Sequence, residues 1–334
     1  MVSMPSETVS IIVPCYNEEA TIALLLDAIA NQSYPRSLIE VVIADGMSID
    51  GTRARIAAFQ ASLPDLNILV VDNPQRNIPA GLNCAIQAAR GAILVRLDAH
   101  SMPDRTYVER SVADVSAGLG RNVGGVWQIL PGSQTWLGRS IAVAAAHKLG
   151  VGDALYRYTT QAQEVDTVPF GAFYRQLIDE IGGFDETLLS NEDYEFNTRI
   201  RQAGGKVYLD PAIRSHYFAR PTLSALARQY WRYGFWKLRM LRRYPQTLRW
   251  RQALPPLFVA GIIGLILFSI FWHWARVMLA AGLALYLMIL FCASLPIAIK
   301  QKQVAYLMGV PAAIATMHFS WGMGFWYSIF TLQR

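Results

Sequence analysis

The sequence predicts a doubly wound α/β domain with a largely parallel sheet, followed by a basic amphipathic helix and about three membrane-spanning helices. Three observations carry that expectation. Short apolar runs alternate with amphipathic stretches from Val9 to about Leu119. All 24 acidic residues lie at or before Asp210, leaving that stretch at −8, whereas the remainder holds 14 Lys and Arg and no acid. Three long apolar runs fill the last quarter of the chain. The boundaries read as an α/β domain over residues 1–218, a basic helical region over 219–252 and a transmembrane region over 253–334.

In the front domain, strands are expected over residues 9–13, 39–44, 67–71 and 92–97, with helices over 18–31, 50–60 and 79–90. No Gly-x-Gly-x-x-Gly follows the first strand. Pro14-Cys15-Tyr16-Asn17-Glu18-Glu19 stands there instead, and a proline with two acids does not cradle a pyrophosphate through backbone N–H groups. That argues against a dinucleotide dehydrogenase. The second strand ends in Asp45-Gly46-Met47-Ser48-Ile49-Asp50-Gly51-Thr52. Here Asp50 reads as a helix N-cap, and Asp45, at the strand tip, is placed to accept a hydrogen bond from a base or ribose. The fourth strand runs out at Arg96-Leu97-Asp98-Ala99-His100. An acid and an imidazole two apart in an irregular turn can face one divalent cation; a lone Asp at a strand end is also a common turn former or cap.

The rear of the chain points to a membrane. Basic tails bind nucleic acid in other settings, but this one is fused to apolar runs at 254–274, 277–299 and 304–330, so anionic lipid is the expected partner and nucleic acid is not. Each run is long enough for a hydrocarbon core about 30 Å thick. Pro311, His318 and several glycines interrupt the third. Counting positive charges places the 228–251 cluster, Lys300 and Lys302 on the cytoplasmic side and the C-terminus outside. Val9 to Val13 is too short for a signal-peptide core. Cys15, Cys84 and Cys292 lie far apart and are expected as reduced thiols in a cytoplasmic domain.

The motifs resemble those of family 2 glycosyltransferases. The resemblance rests on Val-Pro-Cys-Tyr-Asn-Glu-Glu after strand one, Asp-Gly-Met-Ser-Ile-Asp-Gly-Thr after strand two and Asp-Ala-His after strand four. It continues through Phe170-Gly171-Ala172-Phe173 and Gly182-Gly183-Phe184-Asp185-Glu186 to Asn191-Glu192-Asp193-Tyr194-Glu195-Phe196. It spans about residues 8 to 240, and the Leu-Asp-Ala-His form is most similar to the succinoglycan glucosyltransferase group. The resemblance implies a GT-A, Rossmann-like nucleotide-sugar domain and an inverting transfer of sugar from a nucleoside diphosphate to a hydroxyl.

Roles follow from the same resemblance. Asp98 and His100 would hold Mn2+ or Mg2+ against the diphosphate, the imidazole favouring Mn2+. Pro14, Tyr16, Glu18 and Asp45 would form the uridine-side pocket. Arg76 and Asn83 would line ribose or pyrophosphate, or else serve the surface and packing. Asp193 would be the general base, with Glu192 raising its proton affinity; alternatively Glu192, Asp193 and Glu195 complement the N-terminus of a helix running to about residue 203. Gln229-Tyr230-Trp231-Arg232-Tyr233 is similar to the Gln-x-x-Arg-Trp motif of processive synthases, giving Arg232 to the diphosphate and Gln229 and Trp231 to substrate. The competing reading is an interfacial helix, with Arg228, Arg232, Arg239, Arg242 and Arg243 on one face and Leu223, Leu226, Ala227, Tyr230, Leu238 and Leu241 on the other.

The function expected is a multi-pass enzyme of the inner (cytoplasmic) membrane with its catalytic domain in the cytoplasm. It would move a sugar, glucose by resemblance, from a UDP-sugar to a polyprenyl-diphosphate-linked saccharide in exopolysaccharide assembly. One alternative is a polyprenyl-phosphate sugar synthase, but such enzymes carry Asp-x-Asp-Leu-Gln where this chain has Asp98-Ala99-His100-Ser101-Met102. The other is a non-catalytic nucleotide-sugar-binding membrane protein, against which Asp98, His100 and Asp193 speak.

Overall fold

The computed structural model describes residues 7–331, which divide into two compact units. Residues 7–128 and 158–217 make the first. It opens with β1 (Val9–Cys15), α1 (Ile22–Ala30), β2 (Ile39–Asp45), α2 (Thr52–Ser62), β3 (Asn67–Asp72), α3 (Ile78–Ala88) and β4 (Ile93–Arg96). The expected strands and helices are all present, within a few residues at each end. Next come β5 (Met102–Pro103), α4 (Tyr107–Ser116) and β6 (Asn122–Leu130). After an excursion through α5 (Trp136–Ala146) and α6 (Lys148–Val151), the chain returns as β7 (Gln163–Glu164), β8 (Ala172–Tyr174), α7 (Gln176–Ile181), α8 (Glu192–Gln202) and β9 (Val207–Phe218).

One sheet carries all nine strands, in the order β3-β2-β1-β4-β8-β6-β9-β5 with β7 on β9. β3, β2, β1 and β4 are parallel, whereas β8 pairs antiparallel with β4 and β6. β1, β2 and β4 are buried almost throughout on both faces, which is why they read as unbroken apolar runs, whereas the edge strand β3 is only partly buried. Ile11, Val13, Ile43, Val95 and Leu97 form its core with Leu25, Leu26 and Ile29 of α1.

The second unit comprises residues 129–157 and 218–331: α5 and α6, then α9 (Leu223–Arg243), α10 (Trp250–Phe268), α11 (His273–Gln301) and α12 (Tyr306–Phe330). Three expectations change here. Residues 129–157, expected within the front domain, fold with the C-terminal helices. Ile141, Ala144 and Ala145 of α5 are buried, α5 packs on α12, and a side chain at Gly309 would strike Ser140.

α9 has its expected amphipathic character, but its inward face (Leu226, Tyr230, Gly234, Lys237 and Met240) is covered by α12 rather than left for lipid. Gly234 makes this possible, since a Cβ there would collide with the Trp321 backbone. Finally, α10 and α11 are long and apolar enough to cross a membrane and expose most of their large side chains, whereas α12 buries Val310, Ala313, Ile314 and Met317 against its neighbours. The glycines that interrupt its apolar run are packing devices. Gly322 and Gly324 admit the Pro255 and Trp231 backbones at distances no side chain would allow.

α10 contains Pro255 and Pro256, and Pro256 has no N–H for the Gln252 carbonyl four residues back. The Trp321 indole of α12 donates to that carbonyl at 3.3 Å, and the Trp326 indole donates to the Pro256 carbonyl at 2.8 Å. The carbonyl that Pro256 leaves open is thus satisfied by a neighbouring helix, as a low-dielectric setting requires.

Candidate active site at the strand tips

Parallel strands place the ends of β1, β2 and β4 on one edge of the sheet, and the chain reverses its direction of winding between β1 and β4. That crevice is where open α/β sheets bind ligands. The β1–α1 and β2–α2 loops are laced together across it. Asn17 N–H donates to Ser48 Oγ at 2.8 Å, Ile49 N–H to Asn17 Oδ1 at 2.9 Å, and Glu18 N–H to Thr52 Oγ1 at 2.8 Å. Asp50 accepts from Thr52 N–H at 3.0 Å and Glu19 N–H at 3.2 Å, so it braces both loops from one residue outside the Gly51 cap position.

Backbone strain gathers at the same edge. Asn17, Met47, Arg76, Phe170 and Asn191 all have φ between 53° and 67°, in the left-handed region. For side chains as large as Met and Phe this conformation costs about 1–3 kcal/mol each, and it persists where the surrounding contacts over-determine it.

The predicted base and one of the two predicted metal residues, Asp98, converge, although they lie far apart in the sequence. Arg96, at the end of β4, is 2% exposed, and its guanidinium meets three carboxylates. Nη2 lies 2.9 Å from Glu192 Oε1 and 3.2 Å from Asp98 Oδ1, and Nη1 is hydrogen-bonded to Asp193 Oδ1. Burial opposes the charge on Arg96, but Asp98 and Glu192 outweigh it and push the guanidinium pKa above its ordinary value. Arg96 thus sets one buried cation against both Glu192 and Asp193.

Both acids stand in the first turn of α8, where the helix dipole favours negative charge. Glu195, in the same turn, has a different task. It is 1% exposed and makes a two-pronged pair with Arg199, at 2.6 and 2.8 Å. Arg199 also donates to the carbonyls of Ile181, Gly182 and Gly183. Asn197 anchors the helix from its inner side, donating to Thr167 Oγ1 and accepting from Asn122.

The other predicted positions divide. His100 Nδ1 lies 3.0 Å from Glu18 Oε1, so a residue assigned to the uridine side stands beside one assigned to the metal. Tyr16 is 41% exposed and lies over Gly46, where any side chain would crowd its ring. Pro14 is buried in β1 beneath Gly81. Asp45 is fully buried, accepting from Ser48 N–H at 3.1 Å, Ser48 Oγ at 2.5 Å and Arg53 Nε at 2.5 Å, so its carboxylate is turned inward rather than presented to a base. Arg53 also reaches Asp72 at 2.5 Å and ties the tips of β2 and β3 together.

Asn83 takes the packing role. It accepts from Phe184 N–H at 2.8 Å and donates to the Phe184 carbonyl and to Glu186. Arg76 is exposed on the β3–α3 loop. Gln229, Trp231 and Arg232 belong to the second unit. There Gln229 donates to the Tyr233 hydroxyl at 2.9 Å, Trp231 packs its ring on Tyr327, and Arg232 is exposed.

The donor set suits a divalent cation that arrives with phosphate. Among the described residues no group of three or more His, Cys, Asp and Glu is arranged to hold a metal ion unaided. Hard ions at phosphate sites commonly use one or two protein carboxylates and take further oxygens from the substrate. If a metal binds here, Asp98 and His100 would supply one carboxylate and one imidazole, and Glu18, 3.0 Å from His100 Nδ1, would back the ring in the manner of an outer-shell carboxylate. Three carboxylates around one guanidinium also leave two formal negative charges uncompensated.

Arg96, Arg53 and Arg199 had no assigned role in the sequence. Arg96 carried a signal, because a charge ending a strand that is buried on both faces must have partners.

The chain matches the model of glycosyl transferase family 2 over residues 10–182 and belongs to that family. The succinoglycan biosynthesis protein ExoA of Rhizobium meliloti (strain 1021) is 28% identical over 97% of this chain and 96% of its own length. A Methanococcus voltae protein is 25% identical over 95% of each chain; it is named as a dolichyl N-acetyl-α-D-glucosaminyl phosphate 3-β-D-2,3-diacetamido-2,3-dideoxy-β-D-glucuronosyltransferase. In fold, the chain is similar to the mannosyltransferase PcManGT from Pyrobaculum calidifontis, solved in complex with GDP-Man and Mn2+. The TM-score is 0.66 at 23% identity, covering 94% of this chain and 87% of that one. The motif-based resemblance, including its succinoglycan branch, and the GT-A fold therefore hold.

Proposed function

We propose that the protein is a membrane-anchored inverting glycosyltransferase. In this reading it moves a hexose, glucose first among candidates, from a UDP-sugar to a hydroxyl of a polyprenyl-diphosphate-linked saccharide during exopolysaccharide assembly. The observation that carries it is the convergence of Asp98, Glu192 and Asp193 on Arg96, which joins the loop after β4 to the first turn of α8.

Asp193 takes the proton of the attacking hydroxyl, a contribution typically worth about 10²- to 10⁴-fold. Asp98 and His100 would hold a divalent ion, Mn2+ or Mg2+, which would neutralise charge on the departing diphosphate. Tyr16, Pro14, Glu18 and Asp45 border the nucleoside end, with Asp45 acting through the Ser48 and Arg53 contacts that shape its loop. Two helices able to cross a membrane and the basic stretch after Asp210, which holds no acid, support work at the inner-membrane surface. The lipid-linked acceptor is supported by the relatives, one named for succinoglycan biosynthesis and one for transfer to a dolichyl-linked sugar phosphate. Gln229, Trp231 and Arg232 stand as acceptor or diphosphate contacts within this proposal.

The test is a screen of labelled UDP- and GDP-sugars with Mg2+ or Mn2+, using membrane extract as acceptor and following label into lipid. UDP release by Asp193→Asn is measured alongside. Transfer from UDP-glucose that is lost with Asp193→Asn, with mild acid releasing the label from lipid as an oligosaccharide, is the expected result. An Asp193→Asn variant that turns over like the parent defeats the base assignment, and label released by mild acid as a free monosaccharide defeats transfer to a sugar hydroxyl.

A further inference from the structure

Arg96 does more than balance charge. Its backbone is pinned, with its N–H donating to the Gly171 carbonyl at 2.9 Å and its position paired with Ile12 of β1. Its Nε is buried without a hydrogen-bond partner, so the guanidinium is committed through its two Nη groups. Nη1 holds Asp193, and Nη2 is shared between Glu192 and Asp98. The Phe184 ring lies 5.9 Å from Cζ and borders the cation. Leaving a buried N–H unmade is costly, and an ion pair added only for stability has no need of it.

We propose that Arg96 is the positioning residue of the transfer reaction. It fixes the Asp193 carboxylate in one orientation and registers it against the loop that carries Asp98. The inference rests on the reading of Asp193 as general base. The planar fork is essential to it, because a lysine ammonium supplies the charge but cannot bridge α8 and the Asp98 loop with the same geometry. Base and diphosphate must be in line across one carbon atom, and a misplacement of about 1 Å can cost about 10²-fold in rate.

The experiment is a double-mutant cycle on the full-length protein with Arg96→Lys and Asp193→Asn. For each variant kcat, the KM for the nucleotide sugar that supports transfer, UDP affinity by calorimetry and the melting midpoint are measured. Arg96→Lys is expected to lower kcat by about 10- to 100-fold, with donor KM and UDP affinity changed by less than about threefold. In the Asp193→Asn background the same change should cost less than about threefold, because the group it positions is already gone.

Equal losses in both backgrounds, a loss confined to KM, or an Arg96→Lys variant as fast as the parent would each overturn the proposal and leave the role of Asp193 intact. An Asp193→Asn variant as active as the parent overturns the base reading itself, and with it the positioning role. Should Arg96→Lys fail to fold, the cycle is run with Glu192→Gln added throughout, which removes one of the carboxylates that would be left unpaired, and is read in the same way.

Discussion

Replacing Arg199 with methionine isolates the contact that holds α8 to the Gly182–Gly183 turn. The arginine makes two hydrogen bonds to Glu195, at 2.6 and 2.8 Å, and three to backbone carbonyls, at 2.5, 3.1 and 2.7 Å. Glu195 is 1% exposed, so Arg199→Met takes the two-pronged cation partner away from a carboxylate in the interior. Removing one partner of a buried pair costs about 3–5 kcal/mol. For a unit of this size each kcal/mol moves the midpoint by about 2–4 °C, which predicts a drop of about 6–20 °C.

Thermal unfolding of the full-length protein in detergent, followed by calorimetry, reads this directly in the transition of the first unit. The double variant Arg199→Met/Glu195→Leu should recover most of the loss, because an apolar pair of similar volume is often as stable as a buried ion pair. An Arg199→Met midpoint within about 2 °C of the parent would refute the reasoning. So would a double variant no better than the single one, since the penalty would then lie elsewhere than in the loss of Arg199 beside a buried carboxylate.

Three further outcomes are expected. Burial and the neighbouring Asp210 push the Asp114 carboxyl up to about 6 from its ordinary 3.8. The native state therefore holds this proton more tightly, and its stabilising effect is complete below pH 4 and lost as pH rises through 6. Asp114→Asn should raise the melting midpoint at pH 8 and not at pH 4, and equal shifts at both would refute this. Gly234→Leu places a side chain against the Trp321 backbone and should cost about 1–3 kcal/mol, measured as loss of the detergent-stable fold, while Arg242→Leu on the exposed face should not. His100→Ala should raise the Mn2+ concentration for half-maximal activity at least about tenfold; an unchanged curve would leave Asp98 as the sole ligand there.

The parallel half of the sheet was legible because its strands are short, apolar and separated by turn formers, a pattern that local sterics and burial alone produce. The base and metal candidates were legible as motifs, but not their meeting point. Nothing in Arg96-Leu97-Asp98 says that the arginine reaches residues 96 and 97 positions further along. Periodicity showed that one face of α9 is apolar and could not say what covers it, since lipid and α12 satisfy the same pattern. The discriminating signal lay in Gly234, Gly322 and Gly324, whose missing side chains bring backbones together. Asp45 was legible at the tip of the second strand, but the partners Ser48 and Arg53 of Asp45, and Phe184 and Glu186 of Asn83, decide which way each side chain turns.

The excursion through α5 and α6 has a consequence for how this protein is made. The chain emerges from the ribosome in order, yet residues 129–157 find their packing partner, α12, only when roughly 150 more residues have been synthesised, a delay on the order of 10–30 s. During that interval Ile141, Ala144 and Ala145 have no helix to cover them. A chain cut after residue 217 to obtain a water-soluble enzyme would keep that segment and lose its cover permanently. The natural boundary for a truncation is therefore not a single point in the sequence, because the first unit is drawn from two separate lengths of chain.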